Sequence, residues 1–160
     1  MSPEITTNPV RNPLRSVRRV HQPFEERVRG ARLQPGNAYA ALIAGKTAAH
    51  IGRLGDAEDW YRLAAIYEPN GAEVLAESAA FLSKVGRVER ARELLNVFEA
   101  LQSTNLGAWE SARDAYQTLG ELEMADRANL CSIYYRVAEG VLEPRGIEEL
   151  LTEAEHVCGE

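Results

Sequence analysis

The sequence predicts an all-α fold built from three consecutive helical hairpins of 34 residues each. Two sets of small residues recur at this interval: Gly52, Gly86 and Gly120, and Ala57, Ala91 and Ala125. The apolar residues between them follow helical spacing, as in the run Val74, Leu75, Ala79 and Leu82, and they do not alternate as in a strand. A fixed period of this length indicates a repeat architecture, in which each unit buries its apolar face against its neighbours.

The first unit covers residues 38–71. Gly45 is a small residue within its first helix, where a second helix can approach closely. Gly52 follows that helix, and a glycine there can take the left-handed conformation that ends a helix without a Cβ clash. Pro69 cannot continue a helix interior, so we expect the second helix to stop just before it.

The second and third units, residues 72–105 and 106–139, repeat the turn glycine and the small alanine. Leu95, Trp109 and Tyr116 are large residues that we expect to fill the space between hairpins. Several positions depart from the shared pattern, mostly in the third unit: Ser103, Arg113, Asn129 and Val137.

These spacings resemble the tetratricopeptide repeat, whose 34-residue units carry W-x2-L-G-x2-Y in the first helix and A-x3-F followed by P in the second. The matches are spread over the three copies: Gly45, Ala57, Tyr61, Ala64 and Pro69; Leu75, Ala79, Leu82, Gly86, Ala91 and Leu95; and Trp109, Ala112, Tyr116, Gly120 and Ala125. The resemblance implies a right-handed superhelix of three hairpins whose first helices line a concave surface that binds other proteins.

Two segments flank the repeats. Residues 1–36 form a proline-rich, basic arm that we expect to be extended or partly disordered, since it holds seven arginines and only three acidic residues, a net charge of +4. Its arginines are Arg11, Arg15, Arg18, Arg19, Arg27, Arg29 and Arg32. Residues 37–160 form the predicted helical domain and carry a net charge of −10. Within it, residues 146–157 show one apolar stripe, which predicts a helix that caps the last hairpin.

The residue patterns predict neither an enzyme nor a cofactor or metal site. The glycines fall singly at turns, and no phosphate loop, nucleophile elbow or zinc-ligand spacing occurs. No run of about 18 apolar residues predicts a transmembrane helix. The start of the chain lacks the apolar region of a signal peptide, so we expect a cytoplasmic protein. Cys131 and Cys158 are accordingly expected to be free thiols in a reducing compartment.

The resemblance also implies which side chains line the groove. The candidate partner-binding residues are Tyr39, Leu42, Lys46, His50, Glu73, Lys84, Glu110, Asp114 and Gln117. One end of this set is aromatic and basic and the other is acidic, so we expect a peptide with an apolar anchor near Tyr39 and a basic group near Asp114. The carboxylate clamp of certain heat-shock co-chaperones is not expected, because Glu77 would repel a carboxylate.

The function that these features favour is a non-catalytic adaptor or chaperone that binds another protein or peptide. The size, acidic body and three-unit layout also resemble the small chaperones that hold translocator subunits for bacterial type III secretion. Two alternatives use the arm. The chain could be a subunit that docks into a larger assembly, or its arginines could contact the phosphates of nucleic acid. The second is less favoured because Phe24 is the arm's single aromatic residue, and a steep loss of binding with salt would indicate it.

Overall fold

A computed structural model of the chain describes residues 36–159, together with Glu26 and Arg29, which are both helical and exposed. Residues 36–159 form seven α-helices: α1 (Ala38–His50), α2 (Leu54–Tyr67), α3 (Ala72–Lys84), α4 (Val88–Ala100), α5 (Leu106–Leu119), α6 (Leu122–Ala138) and α7 (Glu148–Cys158). Successive helices pack antiparallel, which confirms the all-α prediction and is consistent with a helical-repeat fold. The predicted arm lies almost entirely outside the described residues.

The three predicted turn glycines all adopt the left-handed conformation, with φ of 81° at Gly52, 82° at Gly86 and 75° at Gly120. Each turn is closed by the same backbone hydrogen bond. The residue after the glycine donates its N–H to a carbonyl five residues earlier, and the pairs are Arg53 to Ala48, Arg87 to Leu82 and Glu121 to Tyr116, all at 2.9 Å. This bond satisfies a carbonyl that the helix end would leave unpaired. The 34-residue period is therefore a period of the backbone as well as of the sequence.

The recurring alanines are buried in the core between the helices. Ala57 and Ala91 are fully buried, and Ala125 is 3% exposed. Around them the large side chains fill the core, which runs through all three hairpins. Phe81 of α3 stacks on Tyr61 of α2 with the ring centroids 4.9 Å apart.

The hairpins are not packed on one another in identical ways. The second and third hairpins join mainly through α3 and α5, which pack along much of their length. The first hairpin meets the second mainly through α2 against α3, and α1 touches α3 at only a few positions. This looser junction leaves space on two sides of α3.

The third hairpin shows how the chain accommodates its departures from the pattern. Arg113 stands where a small residue is expected and Asn129 where a large apolar one is expected, and the two side chains contact each other across α5 and α6, with Arg113 Nη1 3.4 Å from Asn129 Oδ1. Ser103 replaces the closing proline, and its backbone carbonyl accepts a 2.7 Å hydrogen bond from the Trp109 indole. Three of the four departures, Arg113, Asn129 and Ser103, thus take part in a polar contact.

The terminal helix α7 packs on α6, as the apolar stripe predicts, and buries Ala154 completely. The prediction of two free thiols is wrong, because Cys131 of α6 and Cys158 of α7 form a disulfide with Cα atoms 5.4 Å apart. The turn between the helices brings together two cysteines that are 27 residues apart in the sequence. Free thiols were expected because the chain was expected to lie in a reducing compartment. The disulfide gives that compartment no support, and the cytoplasmic location stays a prediction.

Gly45 is required where α1 crosses α2. A Cβ atom at this position would lie 3.2 Å from Tyr61 Cδ2 and 3.4 Å from Trp60 Cβ. We expect Gly45→Val to lower the free energy of unfolding by about 1 to 3 kcal/mol through overpacking, measured by urea denaturation. Gly55→Val is the matched control, since a Cβ there meets nothing within 4 Å. Equal losses in the two variants would contradict the close approach.

Within the described part of the chain, no helix is long and apolar enough to cross a membrane.

Candidate binding cleft

An open cleft of about 590 Å³ lies where the first helices of the three hairpins meet. We call it the α1–α3–α5 cleft. Its lining consists of Lys46, Ala49, His50, Leu54, Tyr61, Glu77, Ala80, Phe81, Lys84, Val85, Ser111 and Asp114. Four of the nine predicted groove residues therefore come together in one place: Lys46, His50, Lys84 and Asp114.

The floor of the cleft is apolar. Phe81 and Tyr61 form its stacked base, and Val85 lies beside them. Leu54, at the start of α2, is 50% exposed at the edge. None of these four residues was among the sequence candidates, because those were restricted to positions on the first helix of each unit that point inward. The sequence shows a leucine two residues after the turn glycine Gly52, but its exposure at the edge of the cleft is visible only in the structure.

Glu77 is the most constrained charge in the cleft. Its Oε1 atom accepts a 3.1 Å hydrogen bond from Lys46 Nζ, and its side chain is only 12% exposed. The other oxygen, Oε2, is buried without a hydrogen-bond partner. Burial, and after it the neighbouring carboxylate of Glu73, raise the pKa of the Glu77 carboxyl, and the hydrogen bond and charge of Lys46 oppose this rise only in part. Burial and then the charge of Glu77 also raise the pKa of the Tyr61 phenol.

The remaining charges of the cleft are distributed unevenly. Lys84 and His50 are exposed, and the described residues offer neither of them an ion pair or a side-chain hydrogen bond. On the acidic side, one oxygen of Asp114, Oδ1, accepts hydrogen bonds from its neighbour Arg113 at 3.1 and 3.2 Å, which offsets part of its charge. Glu110, one turn earlier on α5, bonds to Arg136 of α6. Lys84 and His50 are therefore the basic groups of the cleft that have no partner among the described residues.

The other predicted groove residues lie elsewhere. Tyr39, which is 64% exposed, lines a smaller cleft of about 240 Å³ together with Leu42 and Glu73. Leu42 is 1% exposed and belongs to the core. Gln117 is exposed on α5 and lines neither cleft. Six of the seven arm arginines lie outside the described residues, so the roles suggested for the arm stay predictions. Residues 36–159 contain no cluster of three or more His, Cys, Asp or Glu side chains that could hold a metal ion.

The buried Glu77 gives a test by pH. The Glu77 carboxyl binds its proton more tightly in the folded protein than in the unfolded chain. The free energy of unfolding should therefore fall as pH rises from the ordinary glutamate pKa of about 4.3 through the higher pKa of the folded state. Each unit of elevation corresponds to about 1.4 kcal/mol. Glu77→Gln cannot ionise and still offers an acceptor to Lys46.

We therefore expect Glu77→Gln to gain stability relative to the wild type across this range, measured by urea denaturation between about pH 4 and pH 7. Glu89→Gln is the control, since the Glu89 side chain is 88% exposed, and it should follow the wild type. A parallel pH dependence of Glu77→Gln and wild type would contradict the raised pKa.

No protein-family model matches this chain, and no curated protein is significantly similar to it. The assignment of its repeats to the tetratricopeptide family therefore stays a prediction.

Proposed function

We propose that this chain is a non-catalytic, tetratricopeptide-like protein-binding module, an adaptor or chaperone, and that its α1–α3–α5 cleft holds a short segment of a partner protein. The observation that carries the proposal is the meeting of three consecutive hairpins around one open cleft, with an apolar floor and unpaired basic groups at its edge. A right-handed superhelix would make this cleft part of a continuous concave surface.

The chemistry of the cleft favours one type of segment. An apolar side chain would cover Phe81, Val85 and the exposed Leu54, which gains free energy by removing apolar surface from water. An acidic group beside it would face Lys84 and His50. This differs from the segment expected from the sequence, which carried a basic group near Asp114, because Arg113 already pairs with one oxygen of that carboxylate whereas Lys84 and His50 have no partner among the described residues.

Selection from a random peptide library displayed on phage tests this proposal. We expect peptides retained by the wild-type chain to combine an apolar residue with Asp or Glu. Lys84→Glu should weaken binding of such a peptide by about tenfold or more, because it replaces an attraction with a repulsion. Arg145→Glu is a control of equal charge change at an exposed loop position outside the cleft, and it should leave the affinity unchanged.

The result that would contradict the proposal is a peptide set without acidic residues, or equal binding by the wild type and Lys84→Glu. The second result would place the peptide on another surface.

A further inference from the structure

A second cleft, of about 350 Å³, lies between α2, α3 and α4. On α3 it is lined by Ser78 and Leu82, whereas the α1–α3–α5 cleft uses Glu77, Phe81 and Lys84, so the two clefts lie on different sides of this helix. Its walls are apolar and consist of Tyr61, Leu82 and Leu94 with Ala65. The volume is near the lower end of the range for small-molecule sites, about 300 to 1,000 Å³. We call it the α2–α3–α4 cleft.

Ser78 is an unpaired polar group in the wall of this cleft. The described residues contain three buried serines, and two of them satisfy their hydroxyls on their own helices: Ser83 donates to Ala80 O and Ser132 to Asn129 O, each at 2.8 Å. Ser78 is 1% exposed, and its Oγ atom has no hydrogen-bond partner. Buried polar groups are almost always hydrogen-bonded, so a ligand that enters the cleft beside Ser78 would supply the partner that this hydroxyl lacks.

The rim of the cleft carries an excess of positive charge. Arg62, Arg87 and Arg90 line it together with a single carboxylate, Glu58. Glu58 Oε1 is shared by Arg62 and Arg87, each at the long distance of 3.4 Å, and Arg90 pairs with Glu93 outside the cleft. A guanidinium has five N–H donors, and one shared carboxylate leaves most of them free. Planar guanidinium groups of this kind suit a carboxylate.

We propose that the α2–α3–α4 cleft binds a small carboxylic acid whose apolar body carries a second polar atom, such as a hydroxylated aromatic acid. The body lies on Tyr61, Leu82 and Leu94. The carboxylate accepts hydrogen bonds from the rim arginines. The polar atom on the body pairs with the Ser78 hydroxyl. Each of the three parts of the ligand thus corresponds to one feature of the cleft. Tyr61 also lines the α1–α3–α5 cleft, but Ser78, Leu82, Leu94 and the rim arginines do not.

The test is a titration of the isotope-labelled full-length chain with 3-(4-hydroxyphenyl)propionate, followed by NMR of backbone amides and methyl groups. We expect saturable shifts at Leu82 and Leu94, with His50 and Lys84 unmoved. Two further probes separate the contributions. The uncharged 3-(4-hydroxyphenyl)propan-1-ol should bind about tenfold more weakly or worse, because it lacks the carboxylate. The 3-phenylpropionate ion lacks the hydroxyl and should also bind more weakly.

Variants assign these preferences to residues. Arg62→Gln combined with Arg90→Gln should reduce the preference for the acid over the alcohol, since only Arg87 then remains on the rim. Ser78→Ala should remove the preference for the hydroxylated acid over 3-phenylpropionate. Arg92→Gln is the control. Arg92 lies on α4 as Arg90 does, but it pairs with Glu121 and does not line the cleft. The dispersion of the amide signals in the spectrum of each variant would establish that the variant is folded.

Three results would overturn the proposal. They are the absence of saturable shifts, equal binding of the acid and the alcohol by the wild type, and shifts confined to the α1–α3–α5 cleft.

Discussion

Replacing Phe98 with alanine should lower the free energy of unfolding by about 3 to 5 kcal/mol. Phe98 is completely buried on α4, and its ring meets the Trp109 ring of α5 edge to face, with the centroids 4.8 Å apart. The substitution removes the apolar surface that Phe98 buries and leaves a cavity beside Trp109. Because α4 and α5 touch at few other positions, little else at this junction can close over the gap.

Urea denaturation followed by far-ultraviolet circular dichroism measures this loss without relying on Trp109 fluorescence, which the substitution itself would change. The matched control is Val97→Ala on the same helix, one residue away and 41% exposed, for which we expect a change within about 0.5 kcal/mol. A total stability of about 5 to 15 kcal/mol is typical of a domain, so the Phe98 variant should unfold at a clearly lower urea concentration. Similar losses in both variants would contradict the burial of Phe98.

The turns and the helix crossings were predictable from the sequence because they depend on requirements of single residues. A left-handed backbone at Gly52, Gly86 and Gly120 strongly favours glycine, and the close contact at Ala57 tolerates only a small side chain. These requirements repeat every 34 residues, so the pattern showed them even though no copy is complete. The all-α fold class and the helix ends followed from them.

The disulfide and the unequal junctions could not be predicted in the same way. Cys131 and Cys158 meet because of how α7 turns back onto α6, and α7 does not belong to any repeat. The 34-residue period predicts the same packing at both junctions between hairpins. In the structure, α3 packs closely on α5, whereas α1 contacts α3 at only a few positions. Both clefts lie beside this looser junction, so the repeat pattern could not give their bounds, although it placed four of the residues that line the α1–α3–α5 cleft.

For the charges of the candidate site, the sequence predicted where several side chains lie but not which of them are paired. The sequence placed Lys46, His50, Lys84 and Asp114 on helices that share one face, and the structure brings these four to one cleft. Which of them are already paired depends on long side chains from other positions. Arg136 reaches Glu110 across 26 residues, and Lys46 reaches Glu77 across 31. Such pairs neutralise charges that the sequence alone would leave open to a partner.

Reduction of the disulfide should produce the second large effect, a loss of about 3 to 4 kcal/mol in the free energy of unfolding, because the bond closes a loop of 27 residues and restricts the unfolded chain. The folded structure would keep other contacts between the two helices. The Tyr135 hydroxyl donates a 3.1 Å hydrogen bond to the Cys158 carbonyl, and Ala154 stays buried. We therefore expect α7 to remain helical and packed on α6 after reduction, but to separate from α6 transiently more often than the other helices separate from one another.

Urea denaturation with and without a reductant measures the loss, and Cys158→Ala is the control, since it has no bond left to reduce and should not respond to the reductant. Hydrogen exchange then locates the effect. Reduction should speed exchange most in α7 and at the C-terminal end of α6, and least in α3 and α4, because local opening involves only the elements that the bond joins. Equal stability before and after reduction, or free thiols in the protein purified under oxidising conditions, would contradict a disulfide that holds the terminal helix.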